Sequence, residues 1–369
     1  MVECRIEDYE PPPDAAALPH ADWQRLRSAT IENQASMQRV WDGGEPPSPM
    51  VVGQPSAYHF RVSLRPDGTV RLVYRDALPD QLTAIETHLD AGIRVIPMVL
   101  CDMNVLTVSS LFDPELVPSP GMDDANVMPC LRRRADVERL RKPDSRGGLM
   151  PFVLAETRRL RALLPEWLAV GVRLNTGPLS LAAELRGGTA LLEDMLEAPQ
   201  LCHHLLAILT DLTIEVRDLI HAAARIQVRP GIVRPDVSFH APTVGAMLCD
   251  DLVSLLSPSL FEEFALPYLT RILRSYGGGT VHACGNPSHL LPILAGVPEV
   301  VGVEFGQGSL VDWAAARRQM PDRTLIFWDL EQEGTAYLER AARAALEPKT
   351  CIYSQDLDHA RFWKSWKRR

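Results

Sequence analysis

One stretch decides how the whole chain is interpreted, and it reads Gly277-Gly278-Gly279-Thr280-Val281-His282-Ala283-Cys284-Gly285-Asn286. Three glycines precede a short β-branched run, which predicts a strand that ends at the His-x-Cys pair. Side chains two positions apart point to the same face of a strand, so His282 and Cys284 converge on one point. Imidazole and thiolate are ligands that zinc prefers. The stretch therefore predicts a metal site at a strand end.

The composition narrows the class of protein. The 369 residues are 46% hydrophobic and 23% charged, which is typical of a globular protein with a large core. A net charge of −9 argues against nucleic acid or an anionic membrane as the partner. We expect a cytoplasmic protein for three reasons. The seven cysteines have no regular spacing, the acidic start has no signal segment, and no apolar run is long enough to span a bilayer.

Strands and helices alternate along the chain. A helix is predicted over 21–41 and a β-hairpin over 58–75, with its turn at Pro66-Asp67-Gly68. Further strands are predicted near 51, at 92–100, 167–174, 237–240, 280–284, 300–305 and 324–328, with helices at 78–91, 152–164, 178–185 and 199–226. Seven strands are clear, and an eighth is expected within the long excursion at 113–146. About eight βα units favour a TIM (β/α)8 barrel. A doubly wound sheet is the alternative, but no glycine-rich nucleotide turn follows the first strand.

This interpretation divides the chain into two parts. We expect residues 1–76 to form an N-terminal arm, helix and β-hairpin extension that contains the first barrel strand. Residues 77–369 would form the remainder of the barrel, with a C-terminal segment over its mouth. In such barrels the chemistry lies where the strands end.

Polar residues stand at or just after nearly every predicted strand end; they are Asp102, Asn175, His240, His282 with Cys284, Glu304 and Asp329. Glu304 follows an apolar run on the strand after the His-Cys strand, so it is predicted to be a third metal ligand. Cys351 comes after the last predicted strand and is a candidate fourth ligand. Asp102, His240 and Asp251 are candidates to orient the substrate or move protons, although helix capping explains such residues equally well. The other cysteines, Cys249 among them, are interpreted as ordinary core or surface residues.

The second half of the chain resembles the uroporphyrinogen decarboxylase superfamily. The resemblance is carried by residues 245–251 and 256–268, by His282-Ala283-Cys284-Gly285-Asn286, and by Asn175-Thr176-Gly177-Pro178. It extends from about residue 78 to residue 328 and implies a TIM-type barrel. The decarboxylases of this superfamily carry an arginine-rich segment near the first strand, where this chain has Pro46-Pro47-Ser48-Pro49. Asp102 falls at the position of the decarboxylase aspartate.

The zinc-dependent, corrinoid-linked methyltransferases are the other branch of the superfamily, and the chain is similar to them. Members that activate thiols use a His-x-Cys pair, a glutamate on the next strand and a later cysteine, which His282, Cys284 and Glu304 match. The register of Cys351 departs from that pattern, and this leaves Asp356, Asp358 or His359 as substitutes. No Asp-x-His-x-x-Gly motif for cobalamin is present in the sequence. The resemblance therefore implies Zn²⁺ and a corrinoid, methylcobalamin, that a partner protein carries.

Three functions follow as hypotheses. The first is a zinc-dependent methyltransferase that moves a methyl group between a corrinoid protein and a small thiol or methoxy substrate, with a homodimer as a possible assembly. The second is a metal-free decarboxylase that acts on a tetrapyrrole or a smaller acid through Asp102. The third is a non-catalytic barrel that binds a corrinoid or tetrapyrrole. The methyl donor, the acceptor and the direction of transfer are open at this point.

Overall fold

The computed structural model describes residues 6–7, 20–44, 51–52, 57–103, 106–119, 124–225, 245–329, 337–344, 349–353 and 362. The strands are β1 (Ile6–Glu7), β2 (Val51–Val52), β3 (Phe60–Leu64), β4 (Val70–Tyr74), β5 (Met98–Cys101), β6 (Leu116–Pro118), β7 (Ala125–Val127), β8 (Ala169–Val172), β9 (Ala246–Cys249), β10 (Gly279–Ala283), β11 (Val300–Phe305), β12 (Leu325–Asp329) and β13 (Thr350–Tyr353).

The α-helices are α1 (Trp23–Trp41), α2 (Leu78–Ala91), α3 (Leu106–Ser109), α4 (Arg134–Glu138), α5 (Met150–Leu163), α6 (Pro178–Arg186), α7 (Gly188–Glu197), α8 (Pro199–Ala223), α9 (Pro258–Phe264), α10 (Leu266–Ser275), α11 (Leu291–Ala295), α12 (Trp313–Gln319) and α13 (Leu338–Ala344). Short 3₁₀ turns occupy Ser110–Phe112, Asp251–Leu255, Ser288–Leu290 and Gly308–Leu310. Within the described ranges, no helix is both long and apolar enough to cross a membrane.

Parallel strands form the centre of the fold. One sheet has six strands in the order β2-β13-β12-β11-β10-β9, and a second sheet pairs β5 with β8. Every ladder in these two sheets is parallel. Isolated parallel bridges join Tyr58 to Asp102 and Thr176 to Cys249. The alternation of strand and helix predicted from the sequence is thus confirmed as an α/β fold. The ladders of the described residues do not run continuously around a closed barrel.

Alternate side chains of these strands belong to two different cores. The larger core contains apolar side chains of the helices. From the strands it contains Val99, Val281, Val303, Ile326 and Ile352. The smaller core contains Met98, Leu100, Leu325, Phe327 and Cys351, which pack with Met37 and Val40 of α1. Because neighbouring residues of a strand point to opposite faces, His282 and Glu304 lie on the inner face, away from the helices. The polar ends of the strands therefore stand above an aliphatic inner layer.

The helix ends follow from local sequence signals. α2 begins with Pro79 in its first turn and ends at Gly92, which adopts φ 82° and donates its N–H to the last carbonyls. α8 has Pro199 in its first turn and carries one buried apolar side over 25 residues. These are the boundaries that the sequence predicts to within a few residues.

The predicted N-terminal hairpin is confirmed. β3 and β4 pair antiparallel, with Phe60 opposite Tyr74 and Leu64 opposite Val70. Gly68 takes φ 83° in the turn, and Asp67 accepts hydrogen bonds from the backbone N–H and the hydroxyl of Thr69. The turn residues therefore have the conformations that the hairpin requires.

Two strands and the excursion differ from the prediction. β9 was not predicted, because Ala246–Cys249 is short and alanine, methionine and cysteine have little preference for strands. β13 was not predicted either, and it places Cys351 inside a strand, not after the last one. The described residues of the excursion, 113–119 and 124–146, form the antiparallel pair β6–β7 and helix α4, and none of them belongs to the parallel sheets. The strand predicted at 237–240 lies outside the described residues.

Candidate metal centre

The centre of the site is the contact between two adjacent strands. His282 of β10 and Glu304 of β11 are register partners in a parallel ladder. His282 Nδ1 lies 3.2 Å from Glu304 Oε1, and both side chains are buried. When the ring is neutral, the carboxylate accepts the Nδ1–H bond, so the lone pair of the ring is on Nε2. His282 therefore presents Nε2 to the rest of the site.

Three further side chains surround this nitrogen. Cys284 Sγ lies 3.5 Å from His282 Nε2, and Asp251 Oδ1 lies 3.6 Å from it. Cys249, the register partner of His282 on β9, places its Sγ 3.5 Å from Asp251 Oδ1. Ligand atoms of Cys249, Asp251 and His282 all lie within 4.8 Å of one another. Soft sulfur and nitrogen donors with one carboxylate thus converge where β9 and β10 end.

The turn after β10 is held by side chains. The Cys284 backbone N–H donates to Asp251 Oδ1 at 2.7 Å, and Ser254 Oγ donates to the Cys284 carbonyl. Gly285 takes φ 81°, and its N–H donates to Gln307. Only glycine adopts this left-handed conformation without strain, so the turn depends on the residue that follows the His-x-Cys pair. The backbone of Cys284 is therefore held by hydrogen bonds on both sides.

The donor set and the space around it fit a metal ion. Two thiols, an imidazole nitrogen and a carboxylate are ligands of tetrahedral zinc sites. Gly306 follows β11, and a Cβ atom on it would lie 2.8 Å from Cys284 Sγ and 3.1 Å from His282 Nε2. The absence of a side chain at residue 306 therefore keeps the two donors free of contact from that side.

The electrostatics of the site follow from burial and charge. Burial alone would lower the pKa of His282, but its contacts with Cys249, Cys284 and Glu304 reverse this effect and raise that pKa well above its ordinary value. Burial raises the pKa of the Cys249 thiol to about 11, against the opposing influence of His282. A metal ion must therefore displace a proton from Cys249 to bind its sulfur and a proton from His282 to bind Nε2.

Of the other predicted ligands, Glu304 lies behind the His282 ring and Cys351 lies in the smaller core. Glu304 contacts Nδ1 of His282, on the opposite side of the ring from the Cys284 thiol. Cys351 is fully buried in the smaller core, on a strand that is separated from β10 by β12 and β11. Burial raises the pKa of its thiol far above the ordinary range. Asp356, Asp358 and His359 lie outside the described residues, as does the catalytic candidate His240.

Asp102 stands at the end of β5 on the inner face of the parallel strands. It is fully buried, and Arg173, just after β8, donates from Nε to Asp102 Oδ2 at 3.1 Å. Burial, together with the charges of Asp124 and Asp102, raises the pKa of the nearby Tyr58 phenol to about 12. The predicted residue Asp102 is thus a paired carboxylate with a phenol beside it.

A second group of possible ligands, His59, Asp76 and Glu156, lies behind Asp102. Arg159 donates to both carboxylate oxygens of Glu156, at 2.9 and 2.6 Å, and to Asp76 at 3.1 Å. His59 Nδ1 accepts the Asp102 backbone N–H at 3.3 Å, and burial lowers the pKa of this histidine. Because both carboxylates already pair with the Arg159 guanidinium, we interpret this group as an internal ion-pair network that supports Asp102.

Cys249 is the site residue that the sequence interpretation missed. Its signal was the register of β9 beside β10, which no local pattern reveals. The neighbouring Asp250-Asp251 pair was the available hint, since polar residues directly after an apolar run had marked the other strand ends.

Comparison with known proteins agrees with the architecture. The family model for uroporphyrinogen decarboxylase (URO-D) matches residues 106–229. The chain is 28% identical over 189 residues to a uroporphyrinogen decarboxylase of Xanthomonas euvesicatoria pv. vesicatoria (strain 85-10). This match covers 47% of this chain and 48% of that protein. It is 29% identical over 116 residues to a uroporphyrinogen decarboxylase of Xanthomonas campestris pv. campestris (strain B100), which covers 29% of this chain and 28% of that protein. The chain thus spans about half the length, or less, of these curated relatives.

Among solved structures, the fold is similar to that of a methyltransferase from Methanosarcina mazei. The TM-score is 0.63 at 15% sequence identity, and the match covers 90% of this chain and 97% of that one. Together these similarities confirm the resemblance to the uroporphyrinogen decarboxylase superfamily. The shared fold is an α/β fold with parallel strands, found here and in the M. mazei methyltransferase.

Proposed function

We propose that this protein is a zinc-dependent methyltransferase that moves a methyl group between a corrinoid carried by a partner protein and a small thiol or methoxy substrate. The observation that carries the proposal is the convergence of His282 and Cys284 on the inner face of the parallel strands, with Glu304 behind the ring. A carboxylate behind a metal-binding histidine fixes its tautomer and orientation.

We also propose that the parallel strands close into a (β/α)8 barrel. The two parallel sheets contain eight strands. In one sheet β8 lies beside β5, and in the other the strands from β9 to β13 lie side by side in sequence order, with β2, the first of the eight in the sequence, beside β13. The bridge between Thr176 and Cys249 links the end of β8 to β9, and the bridge between Tyr58 and Asp102 links β5 to the segment that follows β2. In a closed barrel the metal centre and Asp102 face the same mouth.

The side chains around the site have separate roles in this proposal. Glu304 holds the Nδ1–H of His282 and so directs Nε2 toward the metal position. Asp251 fixes the backbone of Cys284. Arg173 and Asp102, on the neighbouring strands, orient the substrate. Bound at this centre, Zn²⁺ supplies Lewis acidity, which lowers the pKa of a coordinated thiol or polarises an ether oxygen.

The experiment combines metal analysis with a methyl-transfer assay. The purified protein should contain zinc, and it should transfer the methyl group of methylcobalamin to a small thiol. The variants His282→Ala and Cys284→Ala should bind zinc more weakly than the wild type and should lose transfer. Cys202→Ala is the control, because Cys202 lies within α8 and its nearest polar contact is the Leu191 carbonyl. Zinc-free wild-type protein, or full transfer by either variant, would refute the proposal.

A decarboxylase is the second candidate, because the curated relatives are uroporphyrinogen decarboxylases and Asp102 is buried and paired at a strand end. It predicts porphyrinogen turnover that chelators leave unchanged and that Asp102→Asn abolishes. A non-catalytic barrel would bind the tetrapyrrole in the same assay without turnover. Loss of all binding and turnover after chelation would exclude both.

A further inference from the structure

We infer that Cys249, and not Cys351, supplies the second thiolate of the metal centre, and that Glu304 stays in the outer shell. The first coordination sphere would then consist of Cys249, His282 and Cys284, with Asp251 at an exchangeable fourth position. This inference rests on the metal site proposed above, and it changes which residues form it.

The spacing of the donor atoms supports this assignment. Metal bonds of about 2.0–2.3 Å at tetrahedral angles place neighbouring ligand atoms roughly 3.3–3.8 Å apart. Cys249 Sγ is 3.5 Å from Asp251 Oδ1, and His282 Nε2 is 3.6 Å from the same oxygen. Cys284 Sγ is 3.5 Å from His282 Nε2. Three of the six edges of a tetrahedron therefore already have the lengths that a bound metal requires, and Cys284 Sγ would move toward Cys249 and Asp251 to complete it.

Strand order places Cys249 on the strand next to His282 and Cys351 three strands away from it. β9 is the immediate neighbour of β10, and Cys249 is the register partner of His282. β13 is separated from β10 by β12 and β11. Cys351 is the register partner of Phe327 and packs in the smaller core with Met37 and Val40. For Cys351 to bind the metal, this aliphatic core would have to open.

Glu304 is excluded from the first sphere by the side of the ring that it contacts. Its carboxylate meets Nδ1, whereas Cys284 Sγ and Asp251 Oδ1 lie beside Nε2. While the Glu304 carboxylate is bonded to Nδ1, it lies across the imidazole ring from Nε2. An ion bound to Nε2 is then out of reach of this carboxylate. Glu304 is therefore a positioning residue in this assignment.

Asp251 is the first-sphere group that a substrate displaces most readily. Its side chain is half exposed, whereas His282 is buried. Its Oδ1 also accepts the Cys284 N–H at 2.7 Å, and this hydrogen bond remains available when the metal position is taken by another group. A thiol or ether that enters from solvent would meet the metal at this corner of the site.

Cobalt substitution counts the thiolates directly. Co²⁺ is added to the metal-free full-length protein, and the near-ultraviolet thiolate-to-cobalt absorption is measured for the wild type and for Cys249→Ala, Cys284→Ala and Cys351→Ala. We expect the intensity per bound cobalt to fall by about half in the first two variants and to stay unchanged in the third. Thermal unfolding of each metal-free variant confirms that it is folded.

The outcomes separate this inference from the proposed function. A fall by half in Cys351→Ala with full intensity in Cys249→Ala overturns the inference and leaves the metal site intact. Absence of cobalt binding by the wild type overturns both. Two thiolates that include Cys249, in a protein without methyl transfer, support the ligand assignment and refute the methyltransferase. If Cys249→Ala does not fold, Cys249→Ser replaces it, with the same expected halving.

Discussion

The Nδ1 atom of His282 lies 3.2 Å from Glu304 Oε1, and this contact determines which face of the ring is available for chemistry. The two residues are register partners on adjacent parallel strands, so the contact is set by the backbone. A buried carboxylate beside one nitrogen leaves the other nitrogen as the lone-pair donor. The direction of the site toward Cys249, Cys284 and Asp251 follows from this single pairing.

Replacing Glu304 by glutamine tests its role behind the ring. Glu304→Gln keeps the shape of the side chain but removes its charge, so we expect zinc affinity to fall about 10- to 100-fold without loss of the 1:1 stoichiometry. Competition with a chromogenic chelator measures the affinity. Glu299→Gln is the matched control, because Glu299 stands just before β11 and pairs with the exposed Arg274. Unchanged affinity in Glu304→Gln would show that the contact does not support metal binding.

The sequence predicted the half of the site that lies on one strand. His282 and Cys284 are two residues apart within a β-branched run, so their shared face follows from strand geometry alone. Cys249 could not be found in this way, because its place depends on the pairing of β9 with β10 across more than thirty residues of chain. Cys351 was predicted from its chemistry, but the alternation of β13 directs it into the aliphatic core. Residue type thus predicts whether a side chain can bind a metal, and strand register determines whether that side chain lies at the site.

Gly306 tests whether the space beside the donors is required. A Cβ atom on this residue would lie 2.8 Å from Cys284 Sγ, closer than real Cβ atoms approach other atoms. We therefore expect Gly306→Ala to lower zinc affinity and methyl transfer by about 10-fold or more, since it displaces a proposed ligand. Gly188→Ala is the control, because nothing described lies within 4 Å of a Cβ there. Equal zinc binding in both variants would contradict the need for this gap.

A buried carboxyl on α6 predicts a pH dependence of stability. Burial and the nearby charge of Asp250 raise the pKa of Glu184 to about 8, and its Oε2 has no hydrogen-bond partner among the described residues. The folded protein therefore holds a proton that the unfolded chain releases above pH ~4.5, so folding becomes less favourable as the pH rises from about 4.5 to 8.

Glu184→Gln removes this effect. We expect the variant and the wild type to have similar free energies of unfolding near pH 4.5. By pH 8 the variant should be more stable by a margin on the order of a few kcal/mol. Urea unfolding at a series of pH values measures the difference. A constant difference across the series would mean that Glu184 titrates normally in the folded protein.

The glycine run before the His-x-Cys pair predicts the largest loss of stability. A Cβ atom on Gly279 would lie 1.9 Å from the Ala246 carbonyl oxygen and 2.8 Å from Leu273, so β9 would have to move away from β10. We expect Gly279→Ala to lower the free energy of unfolding by about 2–3 kcal/mol in urea denaturation. Gly188→Ala should change it by less than about 1 kcal/mol. Because Cys249 is carried by β9, the same displacement should weaken zinc binding. A Gly279→Ala protein with native stability and full zinc affinity would show that the close contact of β9 with β10 is not needed for the site.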